Sequence, residues 1–175
     1  MTATRWEVGE PPEAFVDFCA GALPEVYGYL LARCRDRATA EDLTSATFEA
    51  AVSAVRRATV TDLSTGWLIV VARRRLIDHW RREERDARRL ETFACDDVQT
   101  ALDDWSDAVD PGVGMLALMR LGPHHRAALT LRYVDGLSVA DVARELARGH
   151  DATEALLQRA RRAFRRAYEE VRTHA

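Results

Sequence analysis

The chain has 175 residues, enough for one or two small domains, and 47% of them are apolar, so it can bury real cores and is not globally disordered. Its formal net charge is −3 at pH 7, and all 25 of its cationic residues are arginine. No apolar run approaches the roughly 18 residues of a membrane span and no basic, then apolar, leader opens the sequence, so a cytoplasmic protein without membrane insertion is expected.

Helix signals dominate from the start. Pro11-Pro12 precedes a first predicted helix over about 13–22, and Pro24, a proline suited to a helix start, opens a second to about residue 35. Thr39-Ala40-Glu41-Asp42 has the form of a capping box with Asp in place of Glu, which predicts a helix from Thr39 to about Arg56. Leu43, Ala46, Ala50 and Ala54 line one of its faces and Phe48, Ala51, Val52 and Val55 another, as in a helix with neighbours on two sides inside a bundle. The polar, β-branched stretch 58–64 reads as a loop, and a long helix follows from Thr65 to about Leu90.

That long helix changes character along its length. Trp67 to Ala72 is apolar all round, whereas beyond Arg73 only Leu76, Trp80 and Ala87 keep a stripe, with Arg74, Arg81, Arg85 and Arg88 on the opposite face. Trp67 projects toward the arginine face, and an aromatic beside cations is the combination that stacks and neutralises single-stranded nucleic acid. Two plainer roles stand beside this one: Trp67 as core, and the arginines as a solvated face.

Residues 91–114 hold seven acids, no arginine, and Pro111, Gly112 and Gly114 near their end, the composition of an interdomain linker. Beyond it, Val139, Val142, Ala143 and Leu146 form one apolar stripe on a short helix capped by Ser138, with Gly136 supplying a permissive backbone before it. In the terminal helix, over about 152–171, Leu157, Ala160, Phe164, Tyr168 and Val171 share one half. Arg159, Arg162, Arg165 and Arg166 take the other. Short helix, turn and arginine-faced helix in this order read as a helix-turn-helix that offers cations to phosphates or base edges, the alternative being a solvated face.

Charge is laid out in blocks. Residues 1–55 carry four arginines and nine acids, 56–90 ten and five, 91–114 none and seven, and 115–175 eleven and seven. Two basic blocks divided by an acidic one fit two nucleic-acid contact surfaces better than a uniformly acidic enzyme surface. Cys19, Cys34 and Cys95 are odd in number and form no CxxC pair, so neither a disulfide framework nor a structural zinc site is signalled, and reduced thiols with no metal and no cofactor are expected. The expected fold is all-α: a helical bundle over 1–90 and a helix-turn-helix domain over 115–175, joined by the acidic linker over 91–114.

Two sets of motifs carry a family resemblance. Ala40-Glu41-Asp42-Leu43-Thr44 with Phe48, then Trp67-Leu68 and the run from Ala72 through Arg82, resembles region two of the extracytoplasmic-function sigma factors of the sigma-70 family. Leu121-Gly122-Pro123, Arg126, Leu129-Thr130-Leu131-Arg132-Tyr133, Asp135-Gly136-Leu137-Ser138 and Arg159-Ala160-Arg161 resemble their region four. Together the segments cover nearly the whole chain in the family's order.

The resemblance implies a protein that binds core RNA polymerase, sets region four on the upstream promoter element and uses region two to capture the non-template strand as the duplex opens, with no chemistry of its own. It implies polymerase contacts at Glu41, Asp42 and Glu49, whose plainer role is helix capping and solvation, and DNA contacts at Trp67, Arg74, Arg81 and Arg85. The loop 56–64 corresponds to the segment that receives a flipped base, with Thr59, Thr61, Asp62 and Ser64 as candidate hydrogen-bonding groups. In the second half the DNA contacts fall on Arg148, Arg159, Arg161, Arg162 and Arg165. An anti-sigma protein is a further implied partner.

The chain departs from the family at several positions. Arg74 stands where Asn is frequent, Ser45 where Gln is, and Val52 where a large aromatic is. The turn before the last helix commonly reads Gly-Ile-Ser-x-Gly-Thr-Val-Lys and stands here as the eight residues from Ala147 to Glu154, so that Glu154 replaces a cation. A carboxylate there favours the helix dipole, repels phosphate, and can accept from a cytosine amino group. The nearest competing function is a helix-turn-helix regulator that does not bind core polymerase. A metal or hydrolytic enzyme is disfavoured, because Asp78, His79, His124, His125 and His150 match no ligand spacing such as HExxH. A pure protein-interaction bundle would leave both arginine faces unexplained.

Overall fold

The structure is a computed structural model that describes residues 13–57, 59–60, 63–90 and 110–174. Its elements among the described residues are all helices, and the chain falls into two compact units, Met1–His79 and Trp80–Ala175. The all-α expectation holds.

In the first unit, α1 (Glu13–Cys34) packs against α2 (Arg37–Arg56). The two helices expected over 13–35 are one, with Pro24 inside it. Ala20 and Pro24 are exposed, so the carbonyl that loses its i+4 donor at the proline faces water, while Ala22, Val26 and Leu30 continue one buried stripe across it. The helix stops at Arg35, whose φ of 55° is a left-handed stop and whose amide donates to Leu31 O.

The start of α2 also differs from expectation. Asp36, not Thr39, is the N-cap, and its carboxylate accepts from the Thr39 amide at 2.7 Å. Hydrogen bonding from Thr39, through its side chain first and its amide second, holds the Asp36 carboxyl below the ordinary carboxylate range. The buried face of α2 is Ala40, Leu43, Thr44, Thr47, Ala51 and Val55 rather than either predicted stripe. The two threonines enter the core because their hydroxyls donate back to the carbonyls of Ala40 and Leu43, at 2.6 and 2.7 Å. Ser64 then opens α3 (Thr65–Leu90) by accepting from the Trp67 amide, and Leu68, Ala72, Leu76 and Ile77 are buried along it.

In the second unit, α4 (Pro111–Met119), α5 (Pro123–Leu129) and α6 (Val139–Glu145) all pack on the long α7 (His150–Thr173). Asp110 caps α4 through the Val113 amide and Pro111 fills the first turn, so the helix begins within the stretch read from the sequence as linker. The rest of that stretch, 91–109, with Cys95, lies outside the described residues. Trp80, at 2% exposure, is the largest buried side chain among the described residues, and α7 buries Thr153, Leu156, Leu157, Ala160, Phe164, Ala167 and Val171.

Candidate nucleic-acid interface

The helix-turn-helix is built by short-range devices. After α5 the chain takes one wider π-helical turn, Thr130–Val134, closed by the Asp135 amide on Thr130 O. Gly136 follows at φ 70°, and the Arg132 guanidinium donates to Leu137 O at 2.7 Å, pinning the turn. Ser138 caps α6 by accepting from the Asp141 amide and donates to the Asp141 carboxylate, which also meets Arg144. The Ser138 bond, with the Arg144 charge, lowers the Asp141 pKa.

Between α6 and α7 the chain reverses through Ala147, a non-glycine residue at φ 49°. Its amide donates to Arg144 O and that of Arg148 to Ala143 O, the two closing bonds of a Schellman stop. Gly149 is the N-cap of α7 and offers no side-chain cap. The common family pattern has Gly where Ala147 stands and Ser where Gly149 stands, so the left-handed residue and the capping residue have each lost their preferred type.

The arginines of α7 lie opposite its buried stripe. Arg159 and Arg165 are exposed, Arg162 is half-buried, and Arg161 extends toward the Tyr133 hydroxyl at 3.4 Å. Arg148 is exposed on the turn. Tyr168, assigned to the apolar half, is half-buried because its hydroxyl accepts from the Asp110 amide at 3.0 Å while its ring stacks on Phe164.

Beside α7, α5 carries a histidine pair with ring centroids 4.2 Å apart. Burial, reinforced by the charges of His124 and Arg159, pushes the His125 pKa down to about 4, and its Nε2 has no hydrogen-bond partner. Within the same unit the Glu84 carboxylate lies 2.8 Å from His124 Nδ1, and Arg126 donates to the carbonyls of Met119 and Leu121, tying the end of α4 to α5.

The first unit contributes a polar cleft of about 430 Å³ lined by Glu49, Ala50, Ser53, Ala54, Arg57, Thr59 and Arg75. Glu49, Ser53 and Arg57 are spaced four apart and so share one face of the α2 end, while Arg75 arrives from α3. Two guanidiniums, one carboxylate and two hydroxyls over two alanines form a wall with donors and acceptors around a small apolar floor.

The expected region-two residues are distributed unevenly. Thr59 is on the cleft, whereas Thr61 and Asp62 lie outside the described residues, as does the side chain of Arg88. Arg74 and Arg85 are exposed, but Arg81 is half-buried and donates to Glu145 O at 3.0 Å. Trp67 is half-buried, neither core nor free platform. Glu41 and Asp42 are exposed near the start of α2, where Arg37 pairs with Glu41 at 2.7 Å, and Glu49 lies two turns on, at the cleft. Arg57 and Arg75 were absent from the expected set; the repeat of polar residues at 49, 53 and 57 beside Ala50 and Ala54 is the signal that points to Arg57, while Arg75 joins them only through the packing of α3.

Among the described residues, His150, Asp151 and Glu154 are a group whose donors, within 4.8 Å of one another, converge enough for a metal ion. All three are exposed and stand at the positive end of the α7 dipole, which opposes a cation.

Residues 21–86 match Sigma-70 region 2 and residues 115–164 match Sigma-70, region 4. The RNA polymerase sigma factor CarQ of Myxococcus xanthus is 31% identical over 134 residues, 74% of this chain and 75% of that protein. The chain belongs to the extracytoplasmic-function sigma factors of the sigma-70 family. The sigma factor BldN of Streptomyces coelicolor, of the same class, is 32% identical over 145 residues, 81% of this chain; the match spans only 55% of BldN. Among solved structures, the sigma factor RpoE of Bartonella quintana, crystallised with the anti-sigma factor NepR, shares the fold at a TM-score of 0.53 and 18% identity, covering 90% of this chain and 98% of that one. No helix among the described residues is long and apolar enough to cross a membrane.

Proposed function

We propose that this sigma factor binds core RNA polymerase and directs it to promoters, with α6 and α7 on the duplex upstream element and the first unit on the non-template strand of the downstream element. The observation that carries the reading is the presence, on one chain, of both sigma regions, each with its own cationic surface: the cleft at Arg57 and Arg75, and the arginine face of α7. A helix-turn-helix regulator needs only the second.

The cleft is the place for an extruded base. Flipping costs a few kcal/mol, and the recovery comes from hydrogen bonds to the base edge and from neutralising the adjoining phosphates. Glu49 supplies acceptors, Arg57 and Arg75 donors, and the hydroxyls of Ser53 and Thr59 either. Glu41 and Asp42 are left for the polymerase surface. The chain works in the cytoplasm without catalysis of its own, and an anti-sigma protein is its inhibitory partner, by analogy with the Bartonella relative.

Run-off transcription with core polymerase and promoter fragments tests the whole reading: absence of both polymerase-dependent initiation and core binding would sink it. The cleft is tested by R57A/R75A, which is expected to cut open-complex formation at least tenfold while leaving binding to a closed upstream-element duplex within about twofold. Equal loss in both assays would remove the cleft from strand capture.

A further inference from the structure

The first nine residues of α7, His150 to Gln158, contain no arginine. In a helix-turn-helix it is the N-terminal part of the recognition helix that meets base edges, with phosphates contacted around it. Within α7 itself, the frequent arginine-to-guanine contact is therefore unavailable over its first turns, the nearest guanidinium being that of Arg148 on the turn before it. The guanidiniums begin at Arg159, about 13 Å along the axis from His150.

The helical phase shows what stands there instead. Thr153, Leu156, Leu157, Ala160 and Phe164 mark the buried line. At roughly 100° per residue, Asp151, Ala155 and Gln158 fall within about 30° of the direction opposite, and Glu154 within about 70°. Asp151, Glu154 and Gln158 are exposed. Arg159 and Arg166 act electrostatically on His125 and so lie on the side toward α5, whereas Arg161, seven residues beyond Glu154, and Arg162 and Arg165, four and seven beyond Gln158, continue the line of Glu154 and Gln158 farther along the helix, where cations suit phosphates.

We propose that Glu154 and Gln158 are the specificity-determining residues of α7, Glu154 reading a cytosine and Gln158 an adenine one or two base pairs away; this rests on the promoter-binding reading above. A carboxylate offers only acceptors. In the major groove cytosine presents its N4 amino group with no acceptor of its own alongside, whereas the N6 amino group of adenine sits next to N7, whose lone pair repels a carboxylate. Gln158 carries one donor and one acceptor, the pair that matches adenine N7 and N6. Four residues advance about 6 Å along the helix, against 3.4 Å per base, which sets the spacing. Glu154 also discriminates by repulsion: on a site without the cytosine its charge meets phosphates and unpaired acceptors with nothing in return.

The test uses the full chain assembled with core polymerase, a randomised duplex upstream element and a chelator in the buffer. The wild-type holoenzyme is expected to select a C·G pair at one position and an A·T pair one or two steps away. E154A should lower the first preference about 5- to 100-fold and leave the other positions unchanged, E154Q should move that position toward adenine, and Q158A should relax only the second. E154A that binds every sequence more tightly with its base preference intact would overturn the inference and leave Glu154 as a repulsive charge only. A wild-type holoenzyme that initiates but selects no upstream sequence would overturn the duplex-reading role of α7 and this inference with it.

Discussion

Lowering the pH from 7 to 5 perturbs the second unit through His125. Its folded pKa is about 4 against 6.5 for an ordinary histidine. Between these values the unfolded chain binds a proton that the folded chain refuses, so stability is full above pH 6.5, falls as pH drops toward 4, and levels off below. At pH 5 the complete shift corresponds to about 2 kcal/mol, and to about 1 kcal/mol once solvent screening of a half-buried ring is allowed for. The groups that face the ring are His124, Arg159, Glu84 and Arg166, and all but Glu84 oppose its protonation. The assay is an NMR titration of the histidine ring protons, paired with urea unfolding of wild type and His125→Phe at pH 7 and pH 5. The variant loses the orphaned Nε2 and the titrating group together, so between pH 7 and pH 5 wild type should lose about 1 kcal/mol relative to the variant. A His125 midpoint at 6 or above, or equal pH dependence in both proteins, would refute the reasoning.

Three further outcomes follow from local geometry. Ala147→Gly removes a left-handed strain of about 1–2 kcal/mol at the cost of extra chain entropy, for a net stabilisation of about 0.5–1 kcal/mol measurable by urea unfolding. Ser138→Ala deletes the cap of α6 and should cost about 1 kcal/mol, with weaker duplex binding as the turn frays. Trp80→Ala, at a site only 2% exposed, should cost about 3–5 kcal/mol, read as a large drop in the unfolding midpoint.

The helix-turn-helix was legible in the sequence almost residue by residue. Gly136 takes the left-handed conformation and Ser138 caps α6, because both are dictated by φ preference and hydrogen bonds within three or four residues. The start of α2 was misjudged for a reason of the same range: Asp36 and Thr39 are both good caps, and only the left-handed stop at Arg35 places the turn so that Asp36 is used. Pro24 was read as a boundary because the local rule forbids it in a helix interior, and that rule yields where the freed carbonyl faces water and the buried stripe continues. Thr44 and Thr47 stood in neither predicted stripe of α2, because an apolar pattern does not show that a threonine hydroxyl can be satisfied by the carbonyl four residues back and so enter the core.

By itself the sequence determined that the chain is helical, that it has two basic blocks, that its last helix carries an arginine face, and to which family it belongs. Each of these rests on periodicity, capping or motif order, which act over a few residues. Only the tertiary structure decided that Arg75 and not Arg74 joins Glu49, Ser53 and Arg57 around a cleft, and that Arg81 spends its guanidinium on the Glu145 carbonyl. Neighbouring arginines on a helix point about 100° apart, and which of them meets another element depends on how that element packs. No local pattern in the chain encodes that angle.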